Sequence, residues 1–272
     1  MNFKLLTKRS KSKEKPDKLL FLHRSNAIYT SAFSTLTTGD WLQDSIIGFY
    51  FDYLEEIFKL ENSNIFLFQP SVIHLIANTS DIEDARDSLP AEIQSKDYLF
   101  LPTNNGDVFN TDGSHWSLLV YDCRNNIFRY YDSMCNSNFY STKLMVERIC
   151  KLLNKSKTNL VIEKCEQQPN DFDCGVYILI YTKMLIQRLL AQADYERLLY
   201  TSSHQSGYNE ELSYSDSCED PNRNEGLNQH IKLSNLNFSE EELWNIETLD
   251  TTSSKKRKKI SKIIASFAKN NQ

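Results

Sequence analysis

Apolar residues recur at helical spacing in several parts of the chain. In "TTGDWLQDSIIGFYFDYLEEIFKLE", residues 37–61, they return every three or four positions, and Thr38 or Asp40 can cap the first turn. A short helix is predicted for "QPSVIHLIAN", with Pro70 in its first turn, and another for "DIEDARDSL". The same periodicity predicts a longer helix in "YSTKLMVERICKLLNK".

Short β-prone runs predict strands between these helices. "DYLFLP" and "TNLVIEKCE" read as single strands, and the polar stretch "TNNGDVFNTDG" as a loop. "HWSLLVYDCRNNIFRYYDS" predicts a hairpin, because Asn pairs suit tight turns. If Asp122 opposes Ile127, His115 and Asp132 lie at the same end and on the same face, about 7 Å apart by backbone spacing. A register shifted by one residue would place them on opposite faces.

The most continuous apolar run begins just after a polar stretch. In "PNDFDCGVYILIYTKML", residues 169–185, Cys174 stands at the start of a run that stays apolar from Val176 to Leu190, which is typical of a helix buried in a core. Near the chain end, "FSEEELWNI" carries a capping box formed by Ser239 and Glu242. The last helix is predicted in "TTSSKKRKKISKIIASFAKN", with one apolar face made by Ile260, Ile263, Ile264 and Phe267.

The remaining segments set the domain organisation. Residues 1–18 are basic, polar and without periodicity, so we expect a mobile tail, followed by a single catalytic domain over 19–272. Within that domain, the polar and acidic residues 201–229 predict a disordered excursion. The basic run "KKRKK" at 255–259 is interpreted as a solvated helix start rather than as a nuclear address.

Composition narrows the classes of function. The 272 residues carry a net charge of -5, which gives no overall basic field for nucleic acid. No signal peptide is recognisable, and no run was expected to reach the roughly 18 apolar residues that a membrane-spanning helix needs. The six cysteines form no CxxC pair, which favours reduced thiols in an intracellular protein, cytoplasmic and/or nuclear. We expect a monomer without nucleic-acid or membrane partners.

Nucleophilic catalysis is suggested by three residues of the motifs above, a cysteine, a histidine and an aspartate. Cys174 at a helix N-terminus would have a lowered thiol pKa, His115 could take the thiol proton, and Asp132 could orient the imidazole. Gly175 removes side-chain bulk beside the sulfur, so a substrate backbone could approach closely. Either Gln168 or Gln167 could donate to an oxyanion. A structural alternative stays open, in which the cysteine is a packing residue and the others are a capped strand end, a turn former and solvated loop residues. The Cys and His residues have no zinc-ligand spacing, so no metal is expected.

The motifs in this order resemble a known family. "GSHWSLLVYD", "YYDS" and "QQPNDFDCGVY" are similar to the His-Trp, Tyr-Asp-Ser and Gln-x-Asn-x-x-Asp-Cys-Gly motifs of the sentrin/ubiquitin-like-modifier proteases, the Ulp-type cysteine proteases. The resemblance runs from about Leu36 through Leu190 and resumes in the last helix. It implies an α+β, papain-like fold with a central mixed or antiparallel sheet and a buried helix that starts at the catalytic cysteine. By residue match it implies these roles: base His115, orienter Asp132, nucleophile Cys174, oxyanion donor Gln168.

The resemblance also implies a substrate channel. Trp41 and Trp116 would form its walls, Trp41 by opening the first long helix, so that only residues without side chains pass to the scissile bond. Asp44 and the loop 103–114 would contribute to the choice of modifier. Two features depart from the family pattern: Gln43 stands where an Asn is usual, and the segment 201–229 is longer than the usual connection.

The function implied is that of a cofactor-independent cysteine isopeptidase that cleaves after the C-terminal Gly-Gly of a ubiquitin-like modifier. The deneddylating branch of the family is the nearest match, through "DWLQDSIIGFYFDYLEE", "GSHWSLLVY" and "KKRKKISKI". The expected partners are therefore the neddylation modifier and its conjugates, such as neddylated cullins. The alternatives are a SUMO- or ubiquitin-specific protease of the same family and a catalytically inactive modifier-binding module.

Overall fold

The computed structural model describes residues 16–86, 89–106, 113–156, 158–205, 237–249 and 251–270. Seven strands and eight α-helices are present in these residues. The strands are β1 (Leu19–His23), β2 (Asn26–Tyr29), β3 (Ile65–Leu67), β4 (Tyr98–Asn104), β5 (Trp116–Asp122), β6 (Ile127–Tyr131) and β7 (Asn159–Ile162). The helices are α1 (Thr30–Thr38), α2 (Asp44–Phe58), α3 (Pro70–Asn78), α4 (Ile82–Arg86), α5 (Phe139–Leu152), α6 (Cys174–Gln205), α7 (Glu240–Trp244) and α8 (Ser253–Asn270).

A mixed five-stranded sheet of order β3-β4-β5-β6-β7 lies at the centre. The inner pairs β4–β5 and β5–β6 are antiparallel, whereas the outer pairs β3–β4 and β6–β7 are parallel. Neighbouring residues of β5 belong to two different core clusters: Leu118 and Val120 face α2 and α6, and Leu119 and Tyr121 face α3 and α5. Burial on both faces explains why β5 reads as a continuous apolar run rather than an alternating one.

Helix α6 is the core helix predicted from the apolar run, and it begins at Cys174 as expected. It continues through Gln205, so residues 201–205 of the predicted excursion are helical. Residues 206–229 of that excursion lie outside the described residues. The segment Cys174–Thr201 is long and apolar enough to cross a membrane by length and composition, contrary to our expectation that no run would be. However, 67% of its most apolar window is buried inside the protein, as in a core helix.

The start of the first long helix differs from the prediction. Thr38 is the last residue of α1, a helix that the periodicity did not reveal, and Gly39 ends it in the left-handed conformation with φ 77°. Residues 40–43 then form a loop, and α2 starts at Asp44, so neither Thr38 nor Asp40 caps it. The hairpin β1–β2 and the short strand β3 were also missed, while α3, α4, α5 and the strands β4 to β7 lie where they were predicted.

The two ends of the described chain are tied to the fold. Residues 1–15 of the predicted tail lie outside the described residues, but Asp17 accepts hydrogen bonds from the Thr30 and Ser31 side chains at the start of α1. In α8 the predicted apolar face packs into the core. The interpretation of "KKRKK" as solvated is wrong at two positions, because Lys256 and Arg257 are only 2% and 6% exposed.

Candidate active site

The hairpin β5–β6 brings His115 and Asp132 together. Its register pairs Asp122 with Ile127, as predicted, so the residue before β5 and the residue after β6 lie at the same end. His115 Nε2 lies 2.6 Å from Asp132 Oδ1, and both side chains are buried. The sheet register therefore positions this pair, and the side chains close the gap that backbone spacing leaves between diagonal neighbours.

The Asp132 carboxylate is surrounded by donors. Besides His115, it accepts hydrogen bonds from the Tyr130 hydroxyl and from the backbone N–H groups of Met134 at 2.9 Å and Asn138 at 3.0 Å. Burial on its own raises the pKa of Asp132, but the hydrogen bonds, with His115 foremost, lower the pKa below its ordinary value. Asp132 is thus a charged carboxylate held in one orientation.

Cys174 is the first residue of α6 and is only 1% exposed. Burial alone would lower the pKa of His115, but hydrogen bonds to Asp132 and to Cys174 outweigh it and raise the pKa to about 9. Because Nε2 of the ring is engaged by Asp132, Nδ1 is the nitrogen left for the thiol. Cys174 therefore lies at the N-terminus of a long helix and beside an imidazole that a buried carboxylate holds.

The loop before Cys174 explains why the helix begins there. Asn170 Oδ1 accepts from the backbone N–H groups of Phe172 and Asp173, and its Nδ2 donates to Asp173 Oδ2 at 2.8 Å. The Asp173 carbonyl in turn accepts from Val176 N and Tyr177 N, the first backbone bonds of the helix. This side-chain turn fixes the backbone direction immediately before Cys174.

The two candidate oxyanion donors have different surroundings. Both amide protons of Gln167 are occupied, since Nε2 donates to the carbonyls of Asp132 at 2.9 Å and Cys165 at 3.1 Å. Gln168 Nε2 donates to the Asn170 carbonyl, and its Oε1 accepts from the Ser133 hydroxyl at 2.7 Å. An amide nitrogen carries two protons, so Gln168 retains one donor that these contacts do not use.

A cavity of about 550 Å³ opens above Cys174. Trp41, Trp116, Asp44 and Gly113 line it, and Trp41 is 52% exposed. Trp41 lies in the loop before α2 and does not open that helix as predicted; its Nε1 donates to the Asp171 carbonyl at 2.7 Å. The channel loop 103–114 is described only in part, since residues 107–112 lie outside the described residues.

Gly175 packs closely against two residues of the cavity lining. A Cβ at this position would lie 3.0 Å from Leu42 Cβ and 3.5 Å from Trp116 Cδ1. The missing side chain therefore makes room for the protein's own channel walls. The close approach of a substrate backbone to Gly175 stays a prediction. Trp116 Nε1 also donates to the Leu42 carbonyl at 3.3 Å, which fixes the two walls next to each other.

Several residues that support the site gave no recognisable sequence signal. Asn138 Nδ2 donates to the His115 carbonyl at 2.9 Å, and Asn105 Oδ1 accepts from His115 N at 3.0 Å. Arg257 pairs with Asp173, the residue before Cys174. Asparagines in loops are too common to single out, and the arginine was hidden in a run of basic residues. Among the described residues, no group of three or more His, Cys, Asp or Glu side chains could hold a metal ion.

Comparison with known proteins places these residues in a family context. The "Ulp1 protease family, C-terminal catalytic domain" matches residues 40–213. Sentrin-specific protease 8 of Homo sapiens is 32% identical over 180 residues, which are 65% of this chain and 85% of that protein. Probable sentrin-specific protease 8 of Dictyostelium discoideum is 28% identical over 215 residues, 74% of this chain and 84% of that protein.

Solved structures agree on the fold. A structure described as "Crystal structure of the de-sumoylating protease" superposes with a TM-score of 0.55 at 16% identity and covers 94% of this chain and 93% of its own. The likeness supports the predicted α+β architecture, with a mixed sheet and a helix that starts at Cys174. Because the family match extends over most of the domain and includes the buried cysteine, histidine and aspartate, this chain belongs to the Ulp1 protease family and is a cysteine protease.

Proposed function

We propose that this protein is a cysteine isopeptidase that cleaves after the C-terminal Gly-Gly of a ubiquitin-like modifier, and that its modifier is the neddylation modifier. The observation that carries the proposal is the buried hydrogen bond between His115 and Asp132, together with the buried Cys174 at the start of α6. In this reaction the Cys174 thiolate attacks the carbonyl of the last glycine. The tetrahedral oxyanion accepts from the Cys174 N–H and Gln168 Nε2, and His115 donates a proton to the leaving amine.

The proposed reaction passes through a covalent thioester. Attack forms a carbon–sulfur bond, and collapse of the tetrahedral intermediate breaks the carbon–nitrogen bond and leaves a thioester of the modifier on Cys174. His115, now neutral, takes a proton from water as the water attacks the thioester. Cys174 then leaves as a thiolate beside the imidazolium, and the modifier is released with a free carboxylate.

The cavity supports the requirement for glycine. Trp41 and Trp116 are both fixed by hydrogen bonds to backbone carbonyls, so they would have to be displaced to admit a side chain at the scissile residue. Repacking strain of this kind costs about 1–3 kcal/mol, which corresponds to about tenfold to more than a hundredfold in rate. Gly175 supports the same proposal, because a larger residue there would push on Leu42 and Trp116.

The choice of the neddylation modifier is supported by related proteins and by the residues at the cavity rim. Two relatives are named NEDD8-specific proteases: protease 2 of Schizosaccharomyces pombe, which is 32% identical over 158 residues, and protease 1 of Arabidopsis thaliana, which is 31% identical over 153 residues. Exposed residues at the cavity rim, including Asp44, would contact the body of the modifier. On this proposal the partners are the modifier and its conjugates, such as neddylated cullins, and the enzyme acts as an intracellular monomer.

The test uses fluorogenic C-terminal conjugates of the neddylation modifier, SUMO and ubiquitin, together with a version of the best substrate in which Ala replaces the last Gly. We expect the highest kcat/KM for the neddylation modifier and a loss of about tenfold or more with Ala. Equal or better turnover of SUMO would reject the choice of modifier. Indifference to the Ala change would reject the channel, and absence of turnover with all three conjugates would reject the isopeptidase.

A further inference from the structure

One arginine of α8 contacts both loops that border the active site. Arg257 is almost fully buried, and its Nε donates to Asp173 Oδ1 at 2.7 Å. Its Nη1 donates to the Thr35 carbonyl at 2.6 Å, and its Nη2 donates to the carbonyls of Asp40 at 2.9 Å and Phe172 at 3.1 Å. A guanidinium is planar and its donors have fixed directions, so four contacts from one group hold their acceptors in a fixed arrangement.

The two acceptors shared by Nη2 belong to two different loops, and each loop supplies residues to the cavity lining. Asp40 immediately precedes Trp41, and Phe172 lies two residues before Cys174. A single nitrogen that bonds both carbonyls sets the distance between the Trp41 loop (residues 40–43) and the Cys174 loop (residues 170–174). One other hydrogen bond joins these loops directly, from Trp41 Nε1 to the Asp171 carbonyl.

The Asp173 contact extends the same effect to the helix that carries the nucleophile. Burial raises the pKa of Asp173, but hydrogen bonds from Asn170, Ser253 and Arg257 lower the pKa below its ordinary value, so the carboxylate is charged. The same residue begins α6 through its carbonyl, which accepts from Val176 N. Arg257 therefore holds the start of the catalytic helix without contacting Cys174 in any described hydrogen bond.

We propose that Arg257 is a positioning residue that sets the separation of the Trp41 loop and the Cys174 loop, and so determines how strictly the channel excludes a side chain at the scissile residue. This inference rests on the proposed isopeptidase function. Arg257 itself contacts neither the substrate path nor the reacting atoms; it acts through the carbonyls of Asp40 and Phe172 and through Asp173. Its effect belongs to selectivity for glycine, whereas the thiol–imidazole pair is held by β5, β6 and α6.

The decisive measurement compares Arg257→Lys with the unaltered protein on substrates that end in Gly-Gly and Gly-Ala. A lysine keeps the charge but lacks the planar fork, so it cannot hold all four acceptors at once. We expect the ratio of kcat/KM for the Gly-Gly substrate to that for the Gly-Ala substrate to fall about tenfold. A ratio of about 10 in the unaltered protein would therefore fall to near 1. The rate at which iodoacetamide alkylates Cys174, followed by mass spectrometry, should change by less than about threefold because the thiol's own partners are untouched.

Lys256→Met is the matched control. Lys256 is the neighbouring buried base of α8, and it donates to the Tyr50 hydroxyl and the Leu179 carbonyl, away from both loops. Its removal damages the same helix, so a purely structural effect would appear in both variants, while the proposal requires an unchanged Gly/Ala ratio in Lys256→Met. All rates are referred to the active fraction, which is counted with an electrophilic C-terminal probe of the modifier.

Asp173→Asn provides a second route if Arg257→Lys does not fold. Asparagine keeps the size of the side chain and leaves the backbone carbonyl to start α6, but it removes the charge that holds the guanidinium. The Gly/Ala ratio should fall in this variant too, by less than in Arg257→Lys. An unchanged ratio in whichever of the two variants folds would overturn the inference, and so would an equal fall in Lys256→Met. If the unaltered protein turns over no Gly-Gly substrate, the proposed function fails instead.

Discussion

The two halves of the active site are held in place by different means. His115 and Asp132 lie at adjacent ends of β5 and β6, so the register of one hairpin brings them together across 17 positions of sequence. The Cys174 loop and the Trp41 loop are held by side chains from far along the chain, including Arg257, which lies 217 positions from Asp40. A mutation in the first half should therefore change proton transfer, and one in the second half should change attack or selectivity.

The largest expected effect removes the nucleophile. Cys174→Ala should lower kcat by about 10⁴-fold or more and leave binding of the modifier in place, because the channel and rim are unchanged. The measurement is hydrolysis of a modifier conjugate, with binding followed by titration calorimetry. Thermal melting must accompany it, since the alanine leaves a small cavity in a buried site.

Cys123→Ala is the control for that variant. Cys123 lies at the opposite end of the same hairpin, where burial raises the pKa of its thiol to about 12, so the thiol stays protonated. Its replacement should leave kcat within about twofold, because Cys123 lies at the end of the hairpin away from His115 and Asp132. Turnover that survives in Cys174→Ala would mean that another residue carries the reaction.

The next effect concerns the hairpin half. Asp132→Asn should lower kcat/KM by about 10²–10⁴-fold, because the imidazole loses the charge that orients it and stabilises its protonated form. The dependence of activity on pH follows from the pKa of His115. His115 has a raised pKa of about 9, so the protonated form persists up to about that pH and activity should fall above it. Asp132→Asn removes a cause of the raised pKa, so the alkaline limb should move to lower pH.

A profile whose alkaline limb stays fixed in Asp132→Asn would contradict this assignment, because the limb would then belong to another group. The substrate should be an amide or isopeptide, since proton donation to the leaving group matters most for a poor leaving group. A second substrate with a phenol-like leaving group needs little protonation. The difference between its pH profile and that of the amide substrate provides an internal control.

The loop half is tested by the two adjacent glutamines. Gln168→Ala should lower kcat by about 10²–10³-fold with little change in KM, the loss typical of a missing oxyanion donor. Gln167→Ala is the matched control, because both amide protons of Gln167 are used by the carbonyls of Asp132 and Cys165. It should affect stability more than rate. Similar rates in the two variants would remove Gln168 from the oxyanion hole.

The same contrast explains how much the sequence revealed. The triad could be predicted because its geometry follows from a hairpin register and from the start of an apolar helix, both of which are local patterns. The motif resemblance added Gln168, which chemistry alone left level with Gln167. In contrast, nothing local indicates that Arg257 is buried, because its partners are backbone carbonyls and one carboxylate that the fold brings from three other segments.

The boundaries that were wrong have a similar origin. Gly39 ends α1 through its positive φ, and this moved the start of α2 to Asp44, although the apolar periodicity alone allowed a start at Thr38 or Asp40. The hairpin β1–β2 was missed because its residues pack on α2 and α8 rather than on the central sheet. Elements stabilised by distant packing leave a weaker pattern than those stabilised by their sequence neighbours.

The smallest effects are expected at two glycines, and they separate a loss of stability from a loss of activity. A Cβ on Gly48 would lie 2.4 Å from Asn26 Oδ1 and 2.6 Å from Gln69 Oε1. These amides both donate to the buried Asp52 carboxylate, so they cannot move without losing those bonds. Gly48→Ala should lower the free energy of unfolding by about 1–3 kcal/mol and leave kcat per active site unchanged.

Gly175→Ala should lower activity more than stability. Its Cβ would meet Leu42 Cβ at 3.0 Å and Trp116 Cδ1 at 3.5 Å, so Leu42 has to move by a few tenths of an ångström while the hydrogen bonds of the triad remain. The free energy of unfolding should fall by about 1 kcal/mol or less, but kcat/KM for the Gly-Gly substrate should fall about three- to tenfold because the channel wall shifts. Stability is measured by urea unfolding and activity by kinetics referred to the active fraction. Gly48→Ala should lose mainly stability, and Gly175→Ala should lose mainly activity. A loss of activity in Gly48→Ala equal to that in Gly175→Ala would mean that general loosening of the fold, and not the position of the channel walls, controls turnover.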